Sequence, residues 1–186
     1  MHIQPVLAPL HVDPPSELGF VATSWGEQVR ARVSCAQTIG RLAVFDYRAP
    51  RNFGPPRHVH RNDDEIFAIE QGSIALWTPY ETRTASAGDV VLLPSGTPHA
   101  WRAFGEEPVR LKLIVSPGDF EAFFETIAEQ ELTLSDTASL AEIASAAGME
   151  IVGAPLSDDE VTAIRENRWS EPDTQALGEP GARDQA

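Results

Sequence analysis

The residues able to do chemistry are concentrated between Arg57 and Ala103. This stretch holds three of the five histidines of the 186-residue chain, with His58 and His60 two apart, Glu65 five further on, and His99 at the end of a glycine- and proline-punctuated run, Gly88 to Gly96. Imidazole nitrogen mixed with carboxylate oxygen is the ligand set of iron, manganese, nickel, copper and zinc, whereas calcium and magnesium call for oxygen alone. The chemistry indicated is that of one divalent transition metal ion, of unassigned identity among Fe, Mn, Ni, Cu and Zn.

Strand side chains alternate faces, so His58 and His60 project from one side with Val59 opposite. The odd interval to Glu65 would put it on the wrong face of an uninterrupted strand. Arg61, Asn62, Asp63 and Asp64 are turn formers, and a turn there resets the register. His99 is entered through Pro94, Gly96 and Pro98, and Ala100, Trp101 and Arg102 begin the next strand. Four ligands from two segments leave one or two coordination positions open, as in a catalytic site rather than a closed structural one. Taken alone, His58 and His60 read equally as surface polarity, with Asp63, Asp64 and Glu65 a solvated acidic turn. Their coincidence with the His99 segment favours the metal. His2 and His11, near the proline-rich start, read as packed or surface residues.

The elements that must position these side chains are short. From Gln28 to about Val115 the alternation predicts strands over Arg41–Tyr47, Glu65–Ile69, Ile74–Thr78, Val90–Leu93 and Val109–Val115, separated by glycine- and proline-bearing turns. Many short strands at close spacing argue for an all-β barrel or sandwich. After Pro117 the period changes: Asp119 can cap a helix whose Phe120, Phe123, Phe124 and Ile127 share one face and pack on the barrel. A second helix is expected over Ser139–Ala147, stopped by Gly148, and a third behind the capping-box spacing of Ser157 and Glu160. The chain therefore divides into an N-terminal extension (1–27), a barrel (28–116), a helical segment packed on it (117–168) and a mobile tail (169–186).

The net charge of −14 disfavours nucleic acid and anionic membranes as partners. A lone cysteine, Cys35, cannot make an internal disulfide and reads as a small packed residue. Met1–Pro15 does not resemble a secretory signal, and no window approaches the ~20 apolar residues of a membrane span, which makes the cytoplasm the expected location.

The two segments resemble the two motifs of the cupin superfamily. His58, His60, Glu65 and Gly72 stand at the spacing of the first, and Gly88, Pro94, Gly96 and His99 match the second. Gly54 stands one residue nearer the first histidine than the usual leading glycine, and Ala103 replaces the polar residue that often closes the second motif. The resemblance implies a cupin double-stranded β-helix, or jelly-roll, barrel with C-terminal α-helices and with His58, His60, Glu65 and His99 as metal ligands in its wider end. One barrel followed by a phenylalanine-rich helix looks like the bacterial single-barrel quercetin 2,3-dioxygenase-like cupins. By that likeness Glu65 is also the catalytic residue, a movable carboxylate that accepts the substrate proton.

Parity extends the site outward. Phe67 shares parity with Glu65, and Trp101 with His99, so both are expected to face a substrate pocket, with Phe45, Tyr47 and Trp77 as further lining candidates. Plain barrel packing explains the same aromatics equally well. An aromatic cavity beside an open metal suits a dioxygenase acting with O2 on an aromatic or enol small molecule. The alternatives are a non-catalytic binding or regulatory cupin, and a metal-assisted isomerase or lyase, for which Arg57, Arg61 and Arg102 are the basic residues nearest the motifs. Family analogy adds a homodimer.

Overall fold

A computed structural model describes residues 19–118 and 120–167 of the chain. The expectations placed on His2, His11, Asp119 and the tail lie outside the described residues. The elements run β1 (Val21–Ala22), β2 (Gln28–Val33), a 3-10 turn (Ala36–Thr38), β3 (Ala43–Ala49), β4 (Arg57–His60), β5 (Asp64–Gln71), β6 (Ser73–Trp77), β7 (Thr82–Ser86), β8 (Val90–Leu93), β9 (Ala100–Phe104) and β10 (Val109–Ser116), followed by α1 (Glu121–Glu129), α2 (Thr137–Ala146), β11 (Met149–Gly153) and α3 (Asp158–Arg165). The five strands expected from alternation are β3, β5, β6, β8 and β10, with ends displaced by at most two residues.

All pairings are antiparallel. One sheet has six strands in the order β1-β2-β3-β10-β5-β8; a second has three, β7-β6-β9, and β11 pairs with β4 alone. A bridge between His58 and His99 joins β4 to the chain entering β9, so the smaller pieces form one broken layer facing the six-stranded sheet. Two such layers with buried facing sides make a jelly-roll sandwich. On β3 and β10 every second residue is buried: Ala43, Phe45, Tyr47 and Ala49, then Val109, Leu111, Leu113 and Val115. These register against Glu65, Phe67 and Ile69 of β5, so the carboxylate sits in the same inward row as the core.

The C-terminal segment covers what the sheets leave open. The face of β6 turned away from the first core, with Ala75 and Trp77, packs with Ala100 against Leu156 and with Val161 and Ile164 of α3. That helix starts with the expected capping box, Ser157 and Glu160 bonding reciprocally. The phenylalanine helix α1 starts at Phe120 as N-cap and puts Phe124 and Ile127 into the core. α2 begins two residues earlier than the pattern predicts and ends before Gly148, whose φ of +77° is left-handed. Among the described residues no helix is long and apolar enough to cross a membrane.

Gly54 fixes the approach of the loop before β4 to β9. A Cβ there would press on the Trp101 carbonyl oxygen and stand 2.9 Å from the Arg102 Cα, backbone atoms that cannot step aside. Gly54→Ala is therefore expected to destabilise the fold by about 3 kcal/mol, the upper part of the overpacking range. A denaturant midpoint equal to that of the unaltered chain would contradict the packing described.

Candidate metal centre

The first ligand segment is β4, whose burial alternates so that His58 and His60 face inward. The chain then turns at Arg61 and Asn62 and re-enters a strand at Asp64, which puts Glu65 on the inner face. The second segment is tied to the first by backbone. Gly96 N donates to the His60 carbonyl (2.8 Å), Ser95 N donates to Asp64 Oδ1 (2.9 Å), and His58 and His99 exchange both bonds of the bridge, at 3.0 and 2.9 Å. The left-handed φ of Gly96, +74°, is what lets the turn close against His60.

The result is a cluster in which one ligand atom each from His58, His60, Glu65 and His99 lies within 4.8 Å of the others, all four residues being buried. That span is of the scale set by metal–ligand bonds of about 2.0–2.2 Å. His58 Nδ1 donates to the Pro56 carbonyl (2.8 Å) and His99 Nδ1 to the Thr97 carbonyl (2.9 Å). A carbonyl only accepts, so both rings carry their proton on Nδ1 and leave Nε2 bare, the tautomer a metal ligand needs. His60 Nε2, His99 Nε2 and Glu65 Oε2 are buried without a hydrogen-bond partner. Orphaned polar atoms in a core are costly. Three of them converging on one point fit a cation that would satisfy all at once.

The electrostatics agree. Burial pushes His58 down to about 4, aided by the neighbouring His99 and His60. Burial likewise lowers His60, against the pull of Glu65. Burial raises the Glu65 carboxyl, but contact with His99, Oε2 to Nε2 at 3.2 Å, and the charges of His60 and His58 outweigh it and hold the group below the usual range. His99 moves up for the complementary reason, its desolvation overcome by Glu65. A carboxylate ionised at neutral pH beside two imidazoles, His58 and His60, that resist protonation is a ligand set suited to a divalent ion.

The cluster opens on a cavity of about 280 Å³. Phe67, Trp101 and Tyr47 line it, together with Phe53 and the α1 residues Phe120 and Phe123. Tyr47 meets Trp101 edge to face at 5.8 Å, as does Phe67 at 5.9 Å. Two sequence candidates lie elsewhere. Phe45 faces inward but is buried against Phe124, centroids 6.1 Å apart, and does not reach the cavity. Trp77 points to the opposite face of β6, under α3 with Arg57 stacked on it at 4.5 Å. Because β6 is covered on both faces, apolar character carries no information about direction there. Arg57 and Arg102 are committed to the C-terminal segment, pairing with Glu160 (2.6 Å) and Asp158 (2.7 Å). Neither they nor Arg61 line the cavity.

Sequence reasoning missed β11 and Glu27. β11 pairs Met149 with His60 and Ile151 with His58, backing the ligand strand and supplying both residues to the cavity wall. A run of Ile and Val bounded by Gly148 and Gly153 is its signal. Glu27 is a buried carboxylate in the same wall, accepting from the Trp25 indole and the Tyr47 hydroxyl. Burial raises its carboxyl despite those two bonds, and Tyr47 is pushed well above 10 by burial and then by Glu27. Its parity with buried Val29 is the only trace in the sequence.

Three histidines and a glutamate gathered inside a jelly roll form a candidate metal centre, and the comparisons bear on the domain that holds it. Residues 47–117 match the family model of the cupin domain. The match supports a cupin domain over residues 47–117, in line with the single barrel seen among the described residues. It is 28% identical over 106 residues to the quercetin 2,3-dioxygenase of Bacillus subtilis (strain 168), a match covering 56% of this chain and 31% of that protein. The chain thus spans under a third of the length of that curated relative. Among solved structures, KdgF from Halomonas sp. is 22% identical with a TM-score of 0.48 over 54% of this chain and 86% of its own. The polyketide cyclase RemF from Streptomyces resistomycificus is 18% identical with a TM-score of 0.44 over 54% and 68%. Neither structural likeness bears on activity.

Proposed function

We propose that the protein is a metal-dependent dioxygenase acting on an aromatic or enol small molecule, with one divalent transition metal ion held by His58, His60, Glu65 and His99. The observation that carries this reading is the opening of the buried three-histidine, one-carboxylate cluster directly onto an aromatic-walled cavity. The partial likeness to a quercetin 2,3-dioxygenase points the same way. When bound, the metal ion supplies Lewis acidity that lowers the pKa of a coordinated hydroxyl and a place for oxygen chemistry.

The chain's own residues do the rest. Trp101, Phe67 and Phe53 hold a flat ring by face and edge contacts. Phe120 and Phe123 of α1 line the same space and reduce the access of water to it. Glu65, a ligand of the ion at rest, would act as a movable carboxylate and take the proton from a substrate hydroxyl as that oxygen becomes an anion. Both atoms of O2 then enter the organic product, so no external reductant is required. The isomerase or lyase reading on an acidic carbohydrate loses its support, because Arg57 and Arg102 are tied to α3 and its lead-in and Arg61 does not line the cavity.

Oxygen consumption by metal-loaded protein in the presence of quercetin tests the proposal. Uptake is expected with the unaltered chain and is expected to fall by at least a hundredfold in Glu65→Gln, within the range for removing a positioned general base. Binding of quercetin without any uptake would move the protein to the non-catalytic class.

A further inference from the structure

The cavity has a second polar pole. Glu27, just ahead of β2, is buried, and each carboxylate oxygen accepts one hydrogen bond, Oε2 from the Trp25 indole Nε1 at 2.8 Å and Oε1 from the Tyr47 hydroxyl. Among the described residues no lysine, arginine or histidine pairs with it. The two oxygens of a carboxyl group offer more acceptor positions than the two bonds use, so acceptor capacity remains at a buried site. Keeping such a group without a counter-charge is costly, and groups of this kind cluster at functional sites.

Its placement gives the cost a use. Glu27 and Glu65 are the two carboxylates of the cavity wall. Tyr47 stands between them in effect: its hydroxyl holds Glu27, its ring packs on Trp101, and its ionisation is opposed by Glu65. The space between is walled by aromatic rings. A ligand anchored at the metal centre by one oxygen would therefore present its far end to an acceptor whose direction is already fixed by two donors.

Resting on the reading of this cavity as the substrate site, we infer that Glu27 is a specificity-determining residue that accepts a hydrogen bond from a hydroxyl group on the end of an aromatic ligand remote from the metal. Tyr47 and Trp25 are its positioning residues. A purely structural alternative exists, in which Glu27 only ties the Trp25 loop to β3, and it predicts a different result.

The test measures dissociation constants by tryptophan quenching on metal-loaded full-length protein, for two matched pairs of probes. Quercetin and 3-hydroxyflavone share one metal-binding head, gallate and benzoate another, and within each pair only the first carries the remote hydroxyls. The unaltered chain is expected to prefer the hydroxylated member of each pair. Glu27→Gln, which keeps size and packing, is expected to cut that preference about tenfold, the scale of one hydrogen bond to a charged group. Affinity for 3-hydroxyflavone and benzoate should stay within about twofold, the scale left when no bond is lost. Tyr47→Phe should give a smaller loss of the same sign, and it serves if Glu27→Gln does not fold. An unchanged preference, an equal loss for both members of a pair, or no preference in the unaltered chain overturns the inference. If the flavonols fail to bind while the gallate preference still depends on Glu27, the inference stands and the flavonol reading of the site is refuted.

Discussion

His60→Ala is expected to empty the metal centre. His60 is 1% exposed, and neither of its ring nitrogens has a hydrogen-bond partner in the protein, so no hydrogen bond explains the burial of these two polar atoms. What it faces is Glu65, Nε2 to Oε2 at 3.9 Å, and the parallel ring of His99. Four-ligand sites bind zinc-like ions with roughly 10–16 kcal/mol, so one ligand carries about 3 kcal/mol and its loss weakens binding more than about a hundredfold. Metal analysis after dialysis against a competing chelator should then fall well below the content of the unaltered chain treated in the same way. Phe67→Leu, which alters the cavity wall and no ligand, should retain the ion. A His60→Ala protein that keeps its full metal content would show that the ion is held elsewhere.

Much of this centre was legible before any coordinates, because it rests on short-range rules. Alternation places His58 with His60, and the turn formers from Arg61 to Asp64 signal the register change that returns Glu65 inward, although Asp64 itself already stands in β5. What alternation lacks is knowledge of the second layer. Parity from the histidine segments does not reach Trp77, which faces away because α3 covers the outer side of β6 and makes both faces apolar. Phe45 faces inward, yet Phe124 of α1 fills the space it would have lined. The strand β11 is short, mostly exposed and remote in sequence from its partner β4, so its Ile-Val run signals a strand without telling that it pairs with the histidine segment. Glu27 is the limiting case. A single acidic residue reads as solvent-facing in any composition-based argument, and its burial follows from donors, Trp25 and Tyr47, that the fold alone brings to it.

The metal-free protein is expected to lose stability as pH falls from about 6.5 to about 4, and His58 is the main reason. Its folded value is about 4, held down by burial first and by His99 next, whereas an unfolded histidine takes its proton near 6.5. Between those values the unfolded chain binds one proton more than the folded chain, so acidification favours unfolding, by roughly 3 kcal/mol across the whole interval. His60, also lowered, adds to the loss. Other groups act with different signs. His99, raised by Glu65, contributes stability that is fully present below 6.5 and is lost as pH rises through its folded value. Glu65, lowered, contributes stability present above 4.5 and lost as pH falls through its folded value. Glu27, raised by burial, costs stability at neutral pH and returns it on acidification. The separable quantity is therefore the difference between the unaltered chain and His58→Gln, whose amide can still donate to the Pro56 carbonyl. With chelator present, the two urea-derived stabilities should differ by roughly 3 kcal/mol more at pH 7 than at pH 4, in favour of the unaltered chain at the higher pH. Parallel stability curves for the two proteins would mean that His58 is not held neutral by the fold, and the desolvated character of the centre would fall with it.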